Sequence, residues 1–514
     1  MTLQILWGLV LWFSISKYGL GVSTDAVDLL FGAHNLAIGK GLTTYTGMFL
    51  ALWPPLYPLL LALVHLTSGL DWLNGAAVVQ WLAFVGLAVT LSVMFLKVFE
   101  HNPALAVAAV LLAQAGSVMT MAFGMVGSDY VHVFLAMLCV LLVGRFVETG
   151  SPRAFLAFVG VGILVTLQRY LGVAAIAAGA LTIMILARAS IKERLLRASA
   201  ACLAAVPMVV WLAITSQLYT RRAPIGLGDN FAWFSRSILE WWAGRSSDPA
   251  YLEKFTPLLW LVAAGLVFLV IRLSRGPRSS GDEVGTASAG QWFYLAPLLL
   301  YGACYMLALF GSASIAYYNK LGGRLLLPLY IPMITLPLAA ADFIIQRVRR
   351  ARPLPWRAFA ASVCYVAVGA LLLATIRTTV PLIIQSHANG IANGENVFND
   401  RTWNEKSVVN YLTHNMPVEP FTLLSNVPDG VAFSARRGVL PSPKRRAGPY
   451  AVEDFPLEMY RASLSAGNGH TYLIWLEPSP HDYYYTPDEL DEVAVLETLY
   501  ADASGGIYRV LPRQ

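Results

Sequence analysis

Residues 154–188 read AFLAFVGVGILVTLQRYLGVAAIAAGALTIMILAR. An unbroken apolar run, 154–167, ends at Gln168-Arg169-Tyr170 and a second apolar run follows at once. A helix needs about 20 apolar residues to cross a bilayer, so two runs of this kind side by side read as a pair of neighbouring spans. The guanidinium between them is costly at membrane depth unless it is paired or has work to do, and its planar fork suits a phosphate held by two parallel hydrogen bonds.

Working outward from this pair, comparable runs occur near 3–22, 73–97, 103–123, 127–146, 195–216, 256–273, 291–311, 325–345 and 358–378, which makes eleven candidates in all. A twelfth run, 53–66, opens with Pro54, Pro55 and Pro58 and either spans or only dips into the bilayer. The first run has no basic leader and no small-residue cleavage site, so it reads as a retained span rather than a signal peptide. Composition agrees: 57% of residues are hydrophobic, 13% are charged and mean hydropathy is +0.59. Soluble domains average about 45–50% apolar and about 25% charged, which excludes the soluble class. The fold class expected is an all-α polytopic membrane bundle of about 11 to 12 transmembrane helices.

The net charge of +6 does not point to nucleic acid, because the basic residues stand in short clusters between apolar runs. Four clusters carry the topology signal: Arg145 with Arg153; Arg188, Lys192, Arg194 and Arg197; Arg272, Arg275 and Arg278; and Arg347, Arg349, Arg350, Arg352 and Arg357. With all four inside, segments 23–48, 124–129, 217–255, 312–323 and everything after about 380 lie outside. Parity closes only if the 53–66 run is not a full crossing or a neighbouring run is broken. All four cysteines fall in apolar segments, so no disulfide framework is expected.

After Thr379 Asn, Asp, Pro and Gly rise and no later stretch is long enough to span. The domains expected are therefore 1–379, a transmembrane part with external loops 23–52 and 217–255, and 380–514, a small soluble extracytoplasmic α/β domain. Within the latter, 404–412 reads as a helix and 421–424, 471–476, 494–498 and 507–510 as strands, with Ser504, Gly505 and Gly506 as a turn.

The unusual polar residues collect on the outside. Ser23 or Thr24 can cap an amphipathic helix on the membrane surface that ends at Gly39 and Gly41. Asp25 at its start is either a general base or a first-turn carboxylate that offsets the helix dipole. Trp53-Pro54-Pro55-Leu56-Tyr57-Pro58, after Tyr45, forces a non-helical backbone that is tolerated at membrane depth only under protein or beside a water-filled cavity. An interfacial aromatic belt accounts for Trp53 and Tyr57 but not for the prolines. Asp129 in Gly127-Ser128-Asp129 is either a site residue or a plain loop carboxylate. Tyr317-Tyr318-Asn319-Lys320 and Arg324 place cations where positive-inside statistics disfavour them, so Lys320 and Arg324 face an anion or a lipid headgroup. Phe231, Trp233, Phe234, Trp241 and Trp242 either stack on sugar faces or form an interfacial belt. No His/Cys/Asp/Glu cluster has metal-ligand spacing, so neither metal nor cofactor is expected.

The order of these motifs resembles the C superfamily of membrane glycosyltransferases, in the style of its protein O-mannosyltransferase and aminoarabinose-transferase group. The matching pieces are Asp25-Ala26-Val27-Asp28 with Ala33 and Gly39-Lys40-Gly41, then Pro54-Pro55-Leu56-Tyr57-Pro58, Ser128-Asp129, Gln168-Arg169-Tyr170-Leu171-Gly172 and Arg324-Leu325-Leu326-Leu327-Pro328. The resemblance implies a plasma-membrane enzyme that takes a monosaccharide from a polyprenyl-phosphate-linked donor and passes it, with inversion, to an extracytoplasmic acceptor. It implies Asp25 as catalytic base, Asp129 as a second acidic residue, and Arg169 and Arg324 as ligands of the carrier phosphate; Lys320, a cation on the outer face, is a further phosphate-binding candidate. Asp28, Tyr45, Trp53, Pro54, Pro55, Tyr57, Gln168, Tyr170, Tyr317 and Asn319 would line the donor and acceptor pocket. Where many relatives carry two adjacent acidic residues this chain has Asp25-Ala26, and Asp28 is the substitute candidate. The rival readings are a transporter or flippase of a lipid-linked substrate, for which corresponding broken helices in two halves are not found, an inactive cell-envelope scaffold, and an oligosaccharide ligase, for which Arg221, Arg222 and Arg236 match weakly.

Overall fold

A computed structural model describes residues 2–216, 227–243, 254–274, 289–313, 321–351, 354–390, 397–415, 421–446, 454–465, 470–479 and 481–513. The chain divides into two compact units: residues 1–14, 51–57 and 77–384 form one, and residues 15–50, 58–76 and 385–514 the other.

The first unit is helical. Among the described residues six helices are long and apolar enough to cross a membrane: Trp72–Val98, Asp129–Thr149, Ile191–Thr215, Gly290–Ala313, Gly323–Arg349 and Ala358–Asn389. A seventh candidate is the pair Pro103–Ala115 and Ser117–Phe123, bent by 54°. Among the described residues, helices of full length do not confirm the expected count of 11 to 12 spans. The run at 3–22 gives a helix of 14 residues, Thr2–Ile15, and 154–188 gives Pro152–Gln168 and Val173–Leu186, each shorter than a full span.

Local causes of these boundaries are visible. Ser151 accepts a bond from the Ala154 amide (3.4 Å) and Pro152 occupies the first turn, where its missing N–H costs nothing. Gly150, at φ 68°, ends the preceding helix. The bend at Gly116 has a packing cause: a Cβ there would fall on the Tyr330 ring, whose hydroxyl donates to the Leu112 carbonyl (3.0 Å).

The second unit holds a five-stranded mixed sheet of β1 (Thr422–Ser425), β2 (Leu440–Pro441), β3 (Thr471–Leu476), β4 (Ala494–Asp502) and β5 (Gly505–Pro512), in the order β2-β1-β3-β5-β4. β1 pairs in parallel with β2 and β3, whereas β5 pairs antiparallel with β3 and β4. Leu424, Leu473, Leu490, Val493 and Val510 form its core. All six side chains of β3 are buried, the mark of a central strand covered on both faces. The expected turn at 504–506 sits slightly earlier, since Gly505 and Gly506 already belong to β5.

The first-loop helix, Thr24–Ala37, belongs to this unit and packs against Pro428–Ala435. Its amphipathic pattern suggested an apolar face on lipid, whereas Ala26, Val27, Leu29, Leu30 and Ala33 are buried in protein. Ser23 stands at its N-cap position but makes no side-chain capping bond. Gly39 and Gly41, both near φ 80°, turn the chain after it as expected. Asn399 fastens the approach to the helix, donating to the Tyr18 and Leu20 carbonyls (2.8 Å each) and accepting from the Val22 amide (3.0 Å).

Candidate functional site

Three helix boundaries in the first unit bring together residues that the sequence places far apart. The helix Asp129–Thr149 begins on Asp129, Pro152–Gln168 ends before Arg169, and Gly323–Ala351 begins just before Arg324. Arg169 has left the helix for an extended conformation (φ −151°, ψ 146°), and a short 3-10 turn, Tyr170–Gly172, restarts the chain. At Gly172 a Cβ would meet the Val165 carbonyl, so only glycine permits this close return. Gln168 ties the break to its neighbour by donating to the Ser128 carbonyl (3.1 Å). Tyr305 donates to the Leu325 carbonyl (2.7 Å) beside Arg324.

The result is an ion triad. The Asp129 carboxylate, 6% exposed, pairs with Arg169 through one oxygen and with Arg324 Nε through the other (3.1 Å). Two guanidiniums converge on one carboxylate at the end of an apolar bundle, and each guanidinium carries five N–H donors in a fixed fork. Such a centre is preorganised for an anion.

The second unit builds an acidic centre. Asp25 and Asp28 lie one turn apart on Thr24–Ala37, and both act electrostatically with Asp429, which comes from the first turn of Pro428–Ala435. Burial, then the charges of Asp429 and Asp25, push the Asp28 carboxyl up to about 7. Its Oδ1 is buried without a hydrogen-bond partner. The Tyr45 hydroxyl donates to Asp429 Oδ1 (2.8 Å), and burial with the neighbouring carboxylate holds that phenol well above its usual range. Burial raises Asp429 and lowers Lys444, while Asp429 pulls Lys444 back toward its charged form. Among the described residues no group of three His, Cys, Asp or Glu is placed to hold a metal ion.

Other sequence candidates take supporting places. Tyr57 is fully buried and its hydroxyl accepts from the Gly127 amide (3.2 Å). Tyr170 donates to the Ala51 carbonyl (2.9 Å) and accepts from Trp211 (3.3 Å), which anchors the segment before the prolines. That segment is non-helical through Pro54, and the helix Leu56–Ser68 starts only past the pair; Trp53 is half-buried, Pro54 buried and Pro55 half-buried. Phe234 and Trp241 are core residues, against Trp260 and Tyr330 respectively, rather than walls of a sugar cavity. Phe231 stacks on Trp260. Tyr317, Asn319 and Lys320 lie outside the described residues, as do Arg221, Arg222 and the side chain of Trp242. Asp429 and Lys444 were not anticipated: no local pattern marks them, and Asp429 meets Tyr45 across 384 positions of sequence.

A scan of family models and a search of curated proteins match nothing. Solved structures do. ArnT from Cupriavidus metallidurans bound to undecaprenyl phosphate aligns over 99% of this chain and 97% of its own, with a TM-score of 0.56 at 14% identity. The chain has the fold of ArnT. That likeness is one of fold and runs along nearly the whole chain. The archaeal oligosaccharyltransferase AglB from Archaeoglobus fulgidus aligns over 91% of this chain and 68% of its own (TM-score 0.47, 12% identity). Mycobacterial arabinofuranosyltransferase AftD aligns over 99% of this chain and 41% of its own (TM-score 0.49, 14% identity).

Proposed function

We propose that this integral membrane protein is a glycosyltransferase that moves a monosaccharide from a polyprenyl-phosphate donor to a hydroxyl of an acceptor outside the cytoplasm, with inversion at the anomeric carbon. The observation that carries this is the Arg169–Asp129–Arg324 triad at the broken end of an apolar bundle. Cations are placed there at a cost, and an anionic lipid headgroup repays it. ArnT, which shares the fold, was solved with undecaprenyl phosphate bound.

In this reading Asp25, half-buried in the first turn of its helix, takes the proton of the acceptor hydroxyl as the oxygen attacks the anomeric carbon. The bond from that carbon to the phosphate oxygen breaks, and the electron pair leaves with the lipid phosphate, whose charge Arg169 and Arg324 stabilise. Asp129 acts by holding the two guanidiniums in register rather than as a base, since both its oxygens are engaged. Asp28, close to neutrality in its preference, shares the proton with Asp25. The second unit stands outside the cytoplasm, on the side away from the basic clusters, and the membrane in this reading is the plasma membrane.

Native mass spectrometry with polyprenyl phosphate tests the cationic half. Arg169→Met and Arg324→Met are each expected to weaken binding at least about tenfold, the scale of a charge-assisted hydrogen bond lost. Undiminished binding in both variants would remove the arginines from the donor site.

A further inference from the structure

A cavity of about 250 Å³ opens within the second unit, walled by Tyr45, Asp429, Lys444, His481, Tyr483 and Tyr484. These side chains come from four separate stretches of chain. Tyr45 lies in the first loop, Asp429 starts the helix Pro428–Ala435, and Lys444 is bridged to Tyr484 as an isolated antiparallel pair. Backbone bonds fix the last two: the Arg445 amide donates to Tyr483 (2.7 Å) and the Tyr485 amide to Pro443 (3.1 Å). Asn426 closes the wall with both ends of its amide spent on Leu476 (2.9 Å each), so it supports the cavity rather than waiting for a ligand.

The lining selects a ligand class by exclusion. A carboxylate, an ammonium and several phenols cannot lose water to an apolar molecule without uncompensated cost. An anion meets Asp429 with Asp25 and Asp28 in the same electrostatic neighbourhood, and Lys444 is the cation that Asp429 already balances. A metal cation meets the Lys444 ammonium, and among the described residues no group of three His, Cys, Asp or Glu is placed to hold it. A neutral polyol satisfies everything: its hydroxyls donate to Asp429, accept from Lys444 and do either with the tyrosines. The tyrosine and histidine rings, with His481 stacked on Tyr483 at 4.7 Å, add surface for a sugar's C–H face.

We propose that this cavity is the acceptor subsite and that it binds a neutral saccharide, with Asp429 and Lys444 as its hydrogen-bonding anchors and the Tyr45 hydroxyl setting the Asp429 carboxylate. The word acceptor rests on the glycosyl-transfer reading; saccharide binding does not. Placing Asp429 beside the first-loop helix links the soluble residues to the Asp25 and Asp28 carboxylates without any sequence motif in 385–514.

Saturation-transfer NMR on the full-length protein in nanodiscs, with the methyl glycosides of glucose, galactose, mannose and N-acetylglucosamine, tests this directly, with inorganic phosphate as the charged comparator. At least one glycoside is expected to bind, Asp429→Asn and Lys444→Met to weaken it roughly tenfold, and Tyr45→Phe, which removes one hydroxyl, to weaken it several-fold. Polyprenyl-phosphate affinity should be unchanged in all three, which also reports that they fold. No glycoside binding, phosphate binding alone, or glycoside affinity indifferent to Tyr45→Phe and the other two overturns the proposal. A wild type that binds glycoside but consumes no lipid-linked donor sinks the transfer reading and leaves the subsite standing; one that consumes donor but binds no glycoside does the reverse.

Discussion

Asp28 follows Asp25 by three residues, one helical turn, and its surroundings hold its proton to about pH 7 by burial and by two neighbouring carboxylates. If its ionised form is needed, donor consumption rises with pH through about 7, and Asp28→Asn, which cannot ionise, loses that rise. A stopped-time assay across pH 4–9 reads this, and a midpoint that does not move removes Asp28 from proton transfer. The same group costs stability. A carboxyl whose folded pKa is raised gives its full stability below the unfolded value near 4 and loses it as pH climbs toward 7. Asp28→Asn is therefore expected to stabilise the protein at pH 8 by a few kcal/mol, up to about 4, with little effect at pH 4. A variant less stable than wild type at pH 8 contradicts the burial account. The pair Asp25 and Asp28 was legible because helical spacing is written locally. Asp429 was not, because its partner Tyr45 sits 384 positions away and nothing in Pro428-Asp429-Gly430 distinguishes it from a helix start.

Breaks, more than lengths, organise the elements. The interruption at Arg169 could be read because a guanidinium and two polar neighbours divide an otherwise apolar run. The bend between Pro103–Ala115 and Ser117–Phe123 could not, since 103–123 is apolar throughout and the cause is the Tyr330 ring pressed on Gly116 from a helix two hundred residues on. Gly116→Leu should cost about 1–3 kcal/mol through overpacking, read as a lowered thermal midpoint in detergent. An unchanged midpoint means the bend yields freely. The count of 11 to 12 spans is not confirmed for a related reason: hydropathy reports composition, whereas where a helix starts and stops depends on tertiary contacts such as Gln168 with Ser128. The central strand β3 was placed to the residue because its run is apolar on both faces. The glycines at 505 and 506 misled, since Gly505 serves a close approach to the Trp475 carbonyl within β5 rather than the turn itself.

At the scale of the whole molecule the chain does not fold in sequence order. Residues 15–50 and 58–76 join 385–514, and Asn399 with Phe398 holds the backbone from Tyr18 to Val22. Removing 385–514 takes these partners away, so limited proteolysis within 15–50 should quicken at least about tenfold, in keeping with loss of several buried hydrogen bonds. Unaltered protection would mean the first loop is ordered without them. Composition could mark a change after 379, but not that the first loop would join 385–514 in one compact unit. Reading the protein as an enzyme rests on Asp25 acting as the base of the transfer. Donor consumption by purified protein in lipid, with a panel of radiolabelled polyprenyl-phosphate sugars and wild type compared with Asp25→Asn, asks this most directly. The account predicts that wild type discharges one of the labelled lipids and Asp25→Asn does not, and equal discharge by both, or none by either, contradicts it.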